Sequence, residues 1–200
     1  MTRFLFIRHA EIEHLGSKIT GRSESAALTG FGVAQAGRIA LRIAGENILA
    51  VYSSPQERAR ETTRLLANRL GQTFDIAAAL DELDYGDWTG QTIESLRRVP
   101  QWQAFNSIRS CTRIPNGESM LEAQFRIVGF IDRLGERHGS GAIALITHGD
   151  LIRAALAYYL GSPLDLMLRL DIHPASISIV EIDRGDPIVR CINNTEAVCP

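Results

Sequence analysis

Residues 2–10 read TRFLFIRHA. The apolar run Phe4 to Ile7 has the length of a buried strand, and Arg8 and His9 follow it with no turn residue between. The pattern returns late in the chain, where the apolar run AIALI (residues 142–146) leads into Thr147-His148-Gly149. A third run, ILAVY (residues 48–52), ends in Ser53-Ser54-Pro55 and is followed by Arg58. In open α/β sheets, ligands sit beyond the carboxyl ends of the strands. Three strand ends would therefore carry two histidines and two arginines to one rim.

The segments between the runs support such a sheet. LTGFGVAQAGRIALRIA (residues 28–44) has apolar residues at helical spacing. Ser53-Ser54-Pro55 is expected to cap the next helix, with Pro55 in its first position and Gly71 ending it. Thr73 to Ala79 holds a short strand. Leu80 to Asn116 is different: it contains both tryptophans, Gly86, Gly90, Pro100 and Pro115, and little periodicity. It reads as a small cap insertion, about residues 80–116. Helices are expected over Glu118–Arg137 and over DLIRAALAYYL, the latter closed by Gly161. ISIVEI (residues 177–182), a turn at Arg184-Gly185-Asp186-Pro187 and IVRCI then form an antiparallel hairpin. The expected fold is a single α/β domain over residues 1–200. It is a three-layer α/β/α sandwich whose central sheet is mostly parallel with an antiparallel edge strand.

Composition narrows the function. A hydrophobic fraction of 45% is enough for a sizeable core. A net charge of -2, with no basic stripe, argues against nucleic acid as a partner. No apolar run reaches membrane-spanning length, and no signal peptide is expected at the N-terminus. Cys111, Cys191 and Cys199 are odd in number and widely spaced, which suits a reducing cytoplasm rather than a disulfide framework or a zinc site. Arginine's planar fork matches phosphate oxygens, and a helix N-terminus adds amides and a favourable dipole. The rim cluster thus reads as a phosphate pocket with a nucleophile in it.

Six stretches, in order, carry a resemblance. They are Arg8-His9-Ala10; Leu28, Thr29, Gly32, Gln35 and Ala36; Ser53-Ser54-Pro55 with Arg58, Ala59 and Thr62; Leu80, Glu82, Gly86, Trp88 and Gly90; Gly117-Glu118-Ser119; and His148-Gly149 with Ile152 and Arg153. In these the chain resembles the histidine phosphatase superfamily, also called phosphoglycerate mutase-like. Ala10 stands where the family has glycine, the GRSESAALT loop is one residue longer than usual, Thr89 stands where glutamate is common, and Pro174 lies near a usual asparagine.

The resemblance implies roles. His9 is the nucleophile and forms a phosphohistidine. Arg8, Arg58 and a protonated His148 stabilise the equatorial oxygens and bind the phosphate. Glu82 is the general acid and then the base, with Asp81, Asp84 and Asp87 of the same acidic run as alternatives. His14 and Arg22, in the first loop, are candidate substrate contacts, with Glu11 beside them. Trp88 and Trp102 either line the pocket or pack the cap. No metal or cofactor is implied, because the cations are side chains. The activity implied is a phosphomonoesterase acting on a small phosphorylated metabolite. α-Ribazole phosphate and a broad acid phosphatase range are equal candidates for its substrate, and a homodimer is the assembly considered. The alternatives are a phosphomutase, a non-catalytic phosphate-binding module and a metal-dependent hydrolase built on His9, His14 and His148.

Overall fold

The computed structural model describes residues 1–13, 15–23 and 27–196. In chain order the elements are β1 (Thr2–Arg8), α1 (Gly30–Arg42), β2 (Ile48–Ser53), α2 (Glu57–Leu70), β3 (Asp75–Ile76), α3 (Ile93–Leu96), α4 (Pro100–Ser107), α5 (Met120–Arg137), β4 (Gly141–Thr147), α6 (Gly149–Tyr159), β5 (Ile177–Asp183) and β6 (Asp186–Asn194). Among the described residues the strands form a six-stranded sheet in the order β3-β2-β4-β1-β5-β6. β1, β2, β3 and β4 pair in parallel. The β5–β6 hairpin supplies the antiparallel edge, with β5 running against β1.

Alternation along the strands separates two cores. On one face Phe4, Phe6, Ile143 and Leu145 pack with α5, α6 and the buried residues of the cap. On the other Leu5, Ile7, Ala144 and Ile146 pack with Ala36 and Ile39 of α1 and Leu66 of α2. β1 and β4 are covered on both sides, so they read as unbroken apolar runs. No helix among the described residues is long and apolar enough to cross a membrane.

Two helix starts differ from expectation. α2 begins at Glu57 with Gln56 as its N-cap, so Pro55 lies outside the helix. Ser54 accepts from the Gln56 amide at 3.3 Å but is also held at 2.7 Å from His148, which fixes the chain before the helix can begin. α5 begins at Met120, because Ser119 and Glu122 form a reciprocal capping box. Glu118 is thereby left outside the helix. His138, at the end of α5, shares a hydrogen bond with the Tyr52 hydroxyl at 3.0 Å, a tie from helix to sheet that the sequence did not announce.

Residues 80–119 leave the sheet after β3 and return at α5. Within them Trp88 packs edge to face against both Trp102 and Phe105, with centroids 5.2 and 5.5 Å apart. Trp88 is buried in the core, while Trp102 lines a cleft above the sheet.

Candidate active site

The β1–β4 register sets Arg8 opposite Thr147, so the next residues, His9 and His148, emerge side by side. The His9 amide donates to the Thr147 carbonyl at 2.9 Å, and the two imidazoles lie 5.2 Å apart. Ser54 joins them from the end of β2, its amide donating to the Ile146 carbonyl. Arg58 arrives from the first turn of α2 and Glu82 from the loop after β3. Arg8, His9, Arg58 and Glu82 all line one cleft of about 330 Å³.

His9 is 2% exposed. Its Nδ1 is 2.8 Å from the Ala10 carbonyl. A carbonyl can only accept, so Nδ1 carries the proton and Nε2 keeps a free lone pair. Burial, then the positive charges of Arg58 and Arg8, hold the ring's pKa well below the ordinary imidazole value. His9 is therefore a neutral imidazole in the tautomer that exposes Nε2.

Arg58, also 2% exposed, donates to the Gly21 carbonyl at 2.8 Å and sits 3.6 Å from Glu82 Oε2. Arg8 donates to the Ile172 carbonyl at 2.6 Å. A methyl group on Gly149 would stand 3.3 Å from Arg8 Nε, so glycine gives that guanidinium room over the N-terminus of α6. Nε of Arg8 and Nδ1 of His148 are buried without a hydrogen-bond partner among the described residues. Such groups cost free energy unless something binds them.

Burial pushes the Glu82 carboxyl up to about 7, against the opposing pull of Arg58. It is thus half protonated near neutrality, the condition a residue needs to give a proton and take one back. His148, fully buried, has Nδ1 3.4 Å from Glu82 Oε2. Burial, then Arg58, lowers its pKa well below the ordinary value. In the ligand-free protein His148 is therefore neutral, because burial and the two arginines oppose a third cation there; the protonated form expected from the sequence belongs to the phosphate-bound state.

The remaining candidates fall elsewhere. His14 lies outside the described residues, as do residues 24–26 of the long loop. Arg22 is not part of the cleft lining. It donates to the Glu82 carbonyl at 2.8 Å and to Glu118 at 3.0 Å, so its fork is occupied behind the acid. Of the alternative carboxylates, Asp81 accepts from the Gln56 side chain at 2.7 Å and the Glu82 amide at 2.8 Å. Asp87 pairs with the exposed Asn116 amide. Asp84 accepts from the Gly86 amide at 3.0 Å. Of the carboxylates in the run 81–87, only Glu82 lines the cleft. Glu11 accepts from Thr29 at 3.0 Å and anchors α1. Ala10 is not in the left-handed backbone region, so the methyl there carries no strain.

A second charged group in the cleft was missed. Asp150 accepts from Tyr85 at 2.7 Å, Arg109 at 3.1 Å and Arg153 at 3.0 Å. Burial alone would raise its pKa, but Arg109 and then Arg153 outweigh it and bring the carboxyl down to about 2. Asp150 stands two residues after His148 in the first turn of α6, so the strand-end rule could have flagged it. Nothing in the weakly patterned cap announced Arg109.

Known proteins share this architecture. A probable phosphoglycerate mutase, GpmB, of Yersinia pestis (strain Pestoides F) is 31% identical over 185 residues, covering 90% of this chain and 85% of that protein. A phosphoserine phosphatase of Entamoeba histolytica, solved with phosphoserine, superimposes with a TM-score of 0.88 at 25% identity, covering 98% of each chain. The α-ribazole phosphatase of Shigella flexneri shares the fold with a TM-score of 0.87 at 23% identity and 99% coverage of both chains. The profile of the histidine phosphatase superfamily (branch 1) matches residues 4–195, from the first apolar residue of β1 to just past β6. That match spans nearly the whole chain, both strand-end histidines included, and the chain belongs to the histidine phosphatase superfamily.

Proposed function

We propose that the protein is a metal-independent phosphomonoesterase that acts on small phosphorylated metabolites in the cytoplasm through a phosphohistidine. The observation that carries this reading is the state of His9: neutral, with Nδ1–H fixed on the Ala10 carbonyl and Nε2 free. In the first step Nε2 attacks phosphorus, the bond from phosphorus to the ester oxygen breaks, and protonated Glu82 gives its proton to the departing oxygen. In the second, Glu82 takes a proton from water. The water oxygen attacks phosphorus, the P–N bond breaks, inorganic phosphate leaves and His9 is restored. Arg8 and Arg58 hold the equatorial oxygens, where charge collects. A bound dianion also offsets the arginines around His148, which favours its charged form once the ester is seated.

Phosphatases among the structural relatives support hydrolysis. The relative named a probable phosphoglycerate mutase supports a second reading, in which the phosphoryl group returns to an organic hydroxyl. A panel of phosphomonoesters, assayed with and without chelator and with both phosphate and organic products measured, separates the two. Release of phosphate that is lost in His9→Ala supports the phosphatase. Conversion of 3-phosphoglycerate to its 2-isomer without release supports the mutase, and release sensitive to chelator counts against both.

A further inference from the structure

The loop that bears Glu82 has no regular secondary structure of its own to hold it. It is gripped instead from behind. Arg22 Nε donates to the Glu82 carbonyl at 2.8 Å. Arg126, on α5, donates through Nη1 to the carbonyls of Ala79 at 2.8 Å and Asp81 at 2.9 Å. Both guanidinium groups meet on Glu118: Arg126 binds its two carboxylate oxygens at 3.0 and 2.8 Å, and Arg22 binds one at 3.0 Å. The Glu118 amide also donates to the Asp84 carbonyl at 2.9 Å, two residues past the acid. The backbone contact there is so close that a methyl group on Gly117 would stand 2.4 Å from that carbonyl. The carboxylate is 14% exposed, and bidentate pairs of this kind fix geometry as well as charge.

The geometry points to Glu118 and Arg22 as positioning residues for the proton-transfer step, acting on the Glu82 main chain rather than on substrate. This rests on Glu82 being the general acid. A displacement of about 1 Å in a reacting group can cost about 10²-fold in rate, and the clamp is what prevents such a shift. It also reassigns Arg22 from the substrate to the acid's support.

The test uses the leaving group. An alkyl phosphate departs as an alkoxide and needs the proton; 2,4-dinitrophenyl phosphate departs as a stabilised anion and hardly needs it. kcat/KM for both esters is measured in wild type, Glu82→Gln, Glu118→Gln and Arg22→Ala, since kcat/KM reports the steps up to leaving-group departure. Glu82→Gln is expected to lose about 10²-fold or more on the alkyl ester and far less on the dinitrophenyl ester. Glu118→Gln and Arg22→Ala should show the same selective loss, about 10-fold or more on the alkyl ester alone. Arg22 lies in a loop and is about a third exposed, so Arg22→Ala is expected to fold even if Glu118→Gln does not, and thermal unfolding of each variant checks this. Equal losses on both esters in Arg22→Ala, or none on either, would overturn the inference. If Glu82→Gln itself fails to discriminate between the esters, the general-acid reading falls instead.

Discussion

His9 and Glu82 are matched by what surrounds them. The same burial that keeps the imidazole neutral raises the carboxyl to about 7, because it disfavours the charged form of either group. Nucleophile and acid are therefore both in their working states over a window that extends from well below the ordinary imidazole pKa up to about 7. The sign for Glu82 is that of a raised carboxyl: protonated below about 7, losing its proton as the pH rises through that value. kcat/KM for an alkyl phosphate should accordingly hold level up to about 7 and fall roughly tenfold per pH unit above it. A pH–rate profile of wild type and Glu82→Gln checks this. The variant should be slow throughout and lack the alkaline limb; a limb that persists unchanged in it would remove Glu82 as the acid.

Elements matter here through how tightly they meet. The Leu28-Thr29-x-x-Gly32-x-x-Gln35 stretch has no group in the phosphate pocket, yet each of its polar residues has a mechanical task. Thr29 caps α1 through the Gly32 amide and donates to the Glu11 carboxylate, while Gln35 accepts from the Glu11 amide at 3.0 Å. Gly32 lets the first turn of α1 lie against the Glu11 carbonyl; a methyl group there would come within 2.2 Å of it. The stretch is the dock that holds the chain just after His9. Gly32→Ala should therefore cost about 2–4 kcal/mol, seen as a lowered midpoint in thermal or denaturant unfolding. Because Glu11 follows the nucleophile by two residues, a fall in kcat should accompany it under conditions where the variant is still folded. A variant with unchanged stability would mean that α1 does not bear on this loop.

At the scale of the molecule, one sheet edge collects groups from β1, β2 and β4 together with the cap loop, and this was unevenly legible. The three strand ends could be read because a two-sided parallel strand is an apolar run, and a charge placed directly after it has few places to go but the rim. Glu82 depended on the family resemblance, since an acidic run looks the same whether it is solvated or catalytic. The roles of Arg22 and Arg109 could not be read, because their carboxylate and carbonyl partners lie 41 to 96 residues away in the chain, whereas the place of Asp150 on the rim was open to the strand-end rule and only its pairing with Arg109 was not. The position of Pro55 outside α2 had the same origin: a local capping rule yielded to a hydrogen bond with His148, 94 residues on from Ser54. The central claim remains that this convergence makes His9 a nucleophile. Rapid mixing with a phosphate-labelled ester, quenching in alkali to preserve a P–N bond, and locating the label by peptide mass spectrometry test it most directly. The account predicts an acid-labile phosphoryl group on His9 that disappears in His9→Ala along with turnover; label on another residue, or full turnover by His9→Ala, would contradict it.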